Sequence, residues 1–260
     1  VSFDVVQIPV WQDNYAYLLC AHDGTAALVD SPEAPPIQAE LDRRGLRLTH
    51  IFQTHHHFDH VGANAALVEA LPGLEVWGGV YDSEHDRIPG QTRVLRDGQQ
   101  VEWAGEFATI HEVPGHTLGH VAWLWSNGAA FVGDTLFVAG CGRFFEGTPA
   151  QMDVSLNEVM ASWPDDTLLY CAHEYTQSNI RFALHVDPGN ADLRALSDEV
   201  DSLRAARRPT VPSTLARELS CNPFLRCDTP AIRAATASAP GTPRHEVLGR
   251  LRAMKDGFTG

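Results

Sequence analysis

The sequence predicts an α/β domain followed by a helical module, and three observations carry that prediction. The chain has 260 residues, 44% of them hydrophobic, which is enough for a large core. From residue 3 to residue 172, short β-rich runs alternate with helical patterns and glycine-containing turns. Beyond Tyr175 the β signals stop, and helical spacing takes over, as at 191–206, interrupted by prolines at 209, 212, 223, 230, 240 and 243. The boundary falls after Tyr175, giving a domain over 1–175 and a helical one over 176–260.

Taken in order, the expected strands are 5–9, 16–20, 26–29, 51–53, 75–77, 107–112, 121–125, 129–132 and 168–170. Each is a run of aliphatic, aromatic or β-branched residues bounded by turn formers. Between the fourth and fifth, Val61, Ala65, Val68 and Leu71 recur at helical spacing until Pro72-Gly73 ends the pattern, so a helix begins immediately after His60.

Composition excludes several classes of function. Nineteen Lys and Arg against 33 Asp and Glu give a net charge of −14, which argues against nucleic-acid binding because neutralising phosphates needs a cationic footprint. The charge is unevenly divided: residues 1–200 carry 9 basic and 28 acidic side chains, net −19, and residues 201–260 carry 10 and 5, net +5. An acidic body with a basic tail can receive an anionic ligand. No apolar run approaches a membrane span, and residues 1–10 do not resemble a signal peptide, so no membrane association and a cytoplasmic location are expected. The five cysteines are odd in number and widely spaced, without a CxxC, and are expected to be buried apolar residues.

The chemistry lies in the histidines. Of 13 in the chain, four fall in THHHFDH, residues 54–60. Imidazole nitrogen and carboxylate oxygen suit divalent metals such as zinc, and a strand end is a rigid frame from which to present them. His55 and His57, two apart in extended chain, can face one ion, while Asp59 and His60, where the chain turns into a helix, are displaced toward a second. His56 and Phe58 are expected to point away and pack or hydrogen-bond behind the site. Three further candidates follow predicted strands: His116 in PGHTLGH, Asp134 in VGDTLF and His173 in CAHEYT. Two ions would then have His55, His57 and His116 on one, Asp59, His60 and His173 on the other, and Asp134 shared between them. His111 and His120 are candidates to stand behind these ligands.

The ordered set THHHFDH, GHTLGH, GDTLF and AHEYT resembles the metallo-β-lactamase superfamily. Together with QDNYAYLL at 12–19, GCGRFFEGT at 140–148, HEYT at 173–176 and RAMKDGF at 252–258, it is similar to the glyoxalase II (hydroxyacylglutathione hydrolase) family over nearly the whole chain. The resemblance implies a four-layer αββα sandwich with a binuclear centre of two divalent ions, zinc first and iron or manganese as alternatives, followed by a helical substrate-binding domain. It places the family's metal ligands on His55, His57, Asp59, His60, His116, Asp134 and His173. Among these, Asp59 and Asp134 are the carboxylates on which catalysis depends. Glutathione contacts fall on Arg143, Phe145, Tyr175, Arg252 and Lys255, with Arg143 and Phe145 standing where the family's better-known members carry Lys and Tyr. Lys255 is the only lysine in the chain, against 18 arginines.

The implied activity is hydrolysis of S-(2-hydroxyacyl)glutathione, S-D-lactoylglutathione in particular, to glutathione and D-lactate, the second step of methylglyoxal detoxification. The implied working unit is a monomer. Metal coordination brings a water's pKa toward about 7, so no serine or cysteine nucleophile is required. Two alternatives remain open: a glutathione persulfide dioxygenase with a single iron on the same fold, and a non-catalytic metal-binding protein.

Overall fold

The computed structural model describes residues 3–260; Val1 and Ser2, part of the segment read for a leader, lie outside the described residues. The chain divides into two compact units, one of Val1–Glu112 with Gly119–Gly133, the other of Val113–Leu118 with Asp134–Gly260.

In the first unit, β1 (Phe3–Val10), β2 (Asn14–Ala21) and β3 (Thr25–Val29) form an antiparallel meander. β4 (Arg47–Phe52), β5 (Glu75–Gly79) and β6 (Arg93–Leu95) extend it in parallel. The crossovers are α1 (Ala34–Arg44), then α2 (Phe58–Val61) with α3 (Asn64–Ala70), then α4 (Val80–Glu84). β2 is buried along its whole length because both of its faces are covered. Ala16 and Leu18 join Leu28, Ile51, Ile37 and Leu41 of α1 and Leu67 of α3 in one apolar cluster, each fully buried aliphatic side chain contributing about 1.5–3 kcal/mol. On the opposite face, Tyr17 meets Phe131 at 5.4 Å between ring centroids, and Phe52 meets Trp123 at 4.8 Å. These rings belong to a second, antiparallel set of strands, β7 (Gln100–Trp103), β8 (Glu106–Glu112), β9 (Val121–Trp125) and β10 (Ala129–Gly133). The first unit is thus helix on sheet on sheet.

The second unit opens with a small hairpin, β11 (Leu136–Phe137) and β12 (Gly140–Cys141), and continues through α5 (Pro149–Val154), β13 (Leu168–Cys171), α6 (Thr176–Val186) and α7 (Ala191–Ala205). β14 (Ser213–Thr214) pairs antiparallel with β13, and α8 (Leu215–Cys221), α9 (Pro230–Ala235) and α10 (Arg244–Asp256) complete it. α5 begins with a capping box between Thr148 and Gln151. α10 buries Val247, Leu248, Leu251 and Arg252 on one stripe.

The expected strands are all present, several of them longer by a residue or more. The helix expected after His60 begins earlier, at Phe58, and is broken at 62–63. Gly62 lies so close to Pro32 that a Cβ there would stand 2.6 Å from the Pro32 carbonyl oxygen, so the chain must pass tightly at that point. All five cysteines are buried free thiols, and no helix among the described residues is long and apolar enough to cross a membrane.

Candidate metal centre

Four predicted ligands leave β4 together in the first unit. After Phe52 the chain runs through 53–57 outside any strand or helix and then enters α2, with His57 as its N-cap. His55 Nε2 and His57 Nδ1 converge to 3.1 Å, the same-side placement expected of residues two apart. The order comes from Asp30, just beyond β3, whose buried carboxylate accepts from the Thr54 amide (2.8 Å), the Thr54 hydroxyl (2.7 Å), the Gln53 side-chain amide (2.7 Å) and His60 Nδ1 (2.7 Å). With its proton given to Asp30, Thr54 Oγ1 accepts from His55 Nδ1 at 3.1 Å. Both His55 and His60 are thereby held with the lone pair on Nε2, the nitrogen that would then face a metal. Asn14 donates to the Asp59 carbonyl and to its Oδ2, each at 3.3 Å.

The flanking histidines and Phe58 also have definite places. The His56 ring turns toward buried Asp82, with Nδ1 3.1 Å from Oδ1. His120 stacks on His55 at 4.6 Å and 20°, and His111 lies half-buried on β8, where burial lowers its pKa. Phe58 does not pack behind the ligands. It is 73% exposed and stacked on Trp11 of the β1–β2 turn, because it occupies the open first position of a short surface helix.

The other three predicted ligands lie in the second unit. Asp134 Oδ2 stands 3.4 Å from His116 Nε2 and 3.4 Å from His173 Nε2, a carboxylate between two imidazoles. His116 Nδ1 donates to the Arg143 carbonyl at 2.9 Å, which leaves Nε2 to face Asp134. Tyr175 stacks almost parallel on His173, 4.6 Å between centroids.

His116 also lines a cavity of about 580 Å³ within this unit, in the usual range for small-molecule sites. All five residues expected to contact glutathione line it: Arg143, Phe145, Tyr175, Arg252 and Lys255. Arg252, nearly buried, donates to the Cys141 carbonyl (2.8 Å) and to Asp256 (2.9 Å), and Arg143 pairs with the same carboxylate at 3.2 Å. Lys255 Nζ donates to the Ser178 carbonyl at 2.9 Å. Burial and the neighbouring Arg252 and Arg181 push its pKa down to about 8. Cys141 is in the wall too, but burial pushes its thiol up to about 11, so it is no thiolate at neutral pH.

Sequence reasoning missed Asp30 and Asn14. The only signal for Asp30 was an aspartate closing a strand, which on its own reads as a turn former. Asn14 lay inside the QDNYAYLL motif without a role.

Comparison with known proteins identifies the family. The metallo-β-lactamase superfamily model matches residues 10–207, and the model for the hydroxyacylglutathione hydrolase C-terminus matches residues 174–258. Hydroxyacylglutathione hydrolase of Synechococcus sp. (strain JA-2-3B'a(2-13)) is 50% identical over 256 residues, covering 98% of this chain and 99% of the relative. That of Methylococcus capsulatus (strain ATCC 33009 / NCIMB 11132 / Bath) is 48% identical over 261 residues, 99% of each. Among solved structures, ETHE1 from Myxococcus xanthus shares the fold with a TM-score of 0.68 at 24% identity, over 98% of this chain and 91% of that one. TTHA1623 in a di-iron-bound form matches with a TM-score of 0.60 at 26% identity, over 85% of this chain and 100% of its own. Matches of this extent place the chain in the hydroxyacylglutathione hydrolase family, thioester hydrolases of the metallo-β-lactamase superfamily.

Proposed function

We propose that the chain hydrolyses S-(2-hydroxyacyl)glutathione, S-D-lactoylglutathione above all, to glutathione and a 2-hydroxy acid, as the second step of methylglyoxal detoxification. The observation that carries this reading is the cavity that joins His116 to Arg143, Arg252 and Lys255. A peptide thioester bearing two carboxylates meets both needs of such a cavity, cations for its acidic ends and a metal-ligand wall for its reacting end. Residues 176–260 are the substrate-binding module in this reading, and residues 1–175 the catalytic one.

The donor set fits two divalent ions. It offers five imidazoles and two carboxylates, with His55 and His57 nitrogens converging and Asp134 placed between His116 and His173. Zinc is the proposed metal, and the same ligands suit iron or manganese. In this assignment His55, His57 and His116 would hold one ion and Asp59, His60 and His173 the other, with Asp134 available to both. Bound, such ions supply a nucleophilic water at neutral pH and polarise a carbonyl. The protein's own part is to hold and orient. Asp30 keeps His55 and His60 in the ligand tautomer, and the Arg143 carbonyl does the same for His116. Arg252 and Lys255 bind the glutathione carboxylates, and Tyr175, Arg143 and Phe145 border the peptide. A thiol leaving group has a pKa of about 8.5, so it departs as thiolate with little need of a protein acid.

All the proposed ligands and contacts belong to one chain, so a monomer suffices. Buried free thiols suit a cytoplasmic enzyme, and the net charge of −14 disfavours nucleic acid as a partner.

Comparing S-D-lactoylglutathione with the same acyl group on N-acetylcysteamine, in metal-replete protein, tests the assignment. The glutathione ester should be turned over with a much lower KM. Equal KM values would refute glutathione recognition, and oxygen consumption with one iron per chain would favour a persulfide dioxygenase instead.

A further inference from the structure

We propose that Glu218 is a positioning residue that locks the β11–β12 hairpin, and through it the orientation of His116 and the wall of the cavity; its functional consequence rests on the thioesterase reading above. The hairpin turns in only two residues, Val138 and Ala139, and Ala139 has φ of 54°, a left-handed conformation that disfavours any residue with a Cβ. Residues 136–141 are all buried, so the turn cannot satisfy its backbone with water.

Three side chains from the helical segments do so instead. Glu218 Oε2 accepts from the Ala139 amide at 2.8 Å. Asn222 Nδ2 donates to the Phe137 carbonyl at 3.1 Å, the Gly140 carbonyl at 2.9 Å and Glu218 Oε2 at 3.0 Å. Asn179 Nδ2 donates to the Val138 carbonyl at 3.1 Å. The other Glu218 oxygen accepts from the Ser213 hydroxyl at 2.6 Å. Glu218 is only 1% exposed, and its burial raises its pKa.

Hydrogen bonds on either side of the turn carry its position to the functional residues. The Cys141 carbonyl receives Arg252 Nη1, the Gly142 amide donates to Thr135 at 3.2 Å, and the Arg143 carbonyl receives His116 Nδ1. Phe137 meets both His173 and Tyr175 edge-on, at 5.9 and 5.3 Å. There is no slack to absorb a shift, since a Cβ on Gly142 would stand 2.0 Å from the Asp134 carbonyl oxygen.

The acceptor geometry, more than the charge, is what the hairpin needs. In Glu218→Gln the amide oxygen can keep Ala139 and Asn222 while the NH2 donates to Ser213, whose hydroxyl turns from donor to acceptor. Glu218→Met fills similar space and offers the Ala139 amide no oxygen.

The test compares wild type, Glu218→Gln and Glu218→Met at a temperature where melting curves show each fully folded. It reads amide hydrogen exchange over 136–143, the chelator concentration that strips half the bound zinc, and kcat. For Glu218→Met we expect faster exchange at 138–141 and zinc lost at about 10- to 100-fold lower chelator, with kcat falling in step, whereas Glu218→Gln stays within about threefold of wild type. A Glu218→Met protein that is merely less heat-stable, with wild-type exchange at these amides and wild-type zinc retention, overturns the proposal. Should Glu218→Met not fold, Asn179→Ala removes one bond of the same clamp and must still speed exchange at 138–141; unchanged exchange there counts equally against it. Failure of the wild-type protein to bind zinc or cleave the thioester would defeat the thioesterase reading alone, and the exchange comparison would still decide the clamp.

Discussion

Asp30 organises more of the first unit's ligand cluster than any ligand does, because one carboxylate fixes Thr54, Gln53 and His60 at once and reaches His55 through the Thr54 hydroxyl. Removing it frees two imidazoles to rotate and to change tautomer. Asp30→Ala is therefore expected to weaken metal retention by about 10- to 100-fold, as losses of groups that orient metal-binding histidines commonly do. Equilibrium dialysis against graded chelator measures this, and wild-type retention would show the histidines to be held by other means. Lys255 gives a prediction in pH. Its pKa is held down to about 8, so it is charged below that value, as the proposed contact with a glutathione carboxylate requires, and neutral above it. kcat/KM should fall as pH rises through about 8, and in Lys255→Arg, whose guanidinium stays charged, that alkaline fall should vanish. Lys255→Ala should raise KM by about 10- to 100-fold, the equivalent of a charge-assisted hydrogen bond, with kcat within a few-fold. Steady-state kinetics across pH 6.5–9.5 (roughly three units around the shifted value) check both.

At the scale of elements, the strands were legible because a strand covered on both faces is a continuous apolar run, as in β2, β9 and β10. β6 and β7 escaped notice because each is three or four residues long and mixes Arg93 or Gln100 and Glu102 with its apolar positions. The two-residue strands β11 and β12 carry no periodicity at all. The seven proposed ligands were legible because metal chemistry favours His and Asp clustered at strand ends. The groups that orient them, Asp30, Asn14 and the Arg143 carbonyl, were not, since their partners lie far away in sequence and one of them is backbone. Gly142 follows β12 directly and precedes Arg143, and its place is set by close approach to Asp134. Gly142→Ala should displace the segment that carries the Arg143 carbonyl, and lower zinc retention by about tenfold or more while the rest of the chain stays folded. Far-ultraviolet circular dichroism with zinc analysis would show it; normal zinc content would mean the backbone can yield there.

Across the whole molecule, the charge asymmetry of the sequence acquires a location. Residues 201–260 hold net +5, and two of their cations, Arg252 and Lys255, line the cavity together with Arg143 and Arg181. Attraction of the two carboxylates of a glutathione thioester to this cluster should weaken as salt shortens the Debye length from about 10 Å at 0.1 M. KM should rise with ionic strength in the wild type, and less so in Lys255→Ala; equal salt dependence would make the cations bystanders. In the proposed function, two metal ions held by the seven proposed ligands give this chain its glutathione thioesterase activity. Titrating the metal-free protein with zinc, while following thiol release from S-D-lactoylglutathione, tests it most directly. Activity should rise to a plateau with its endpoint at two ions per chain. A plateau at one ion, or no thiol release at any zinc loading, would contradict it.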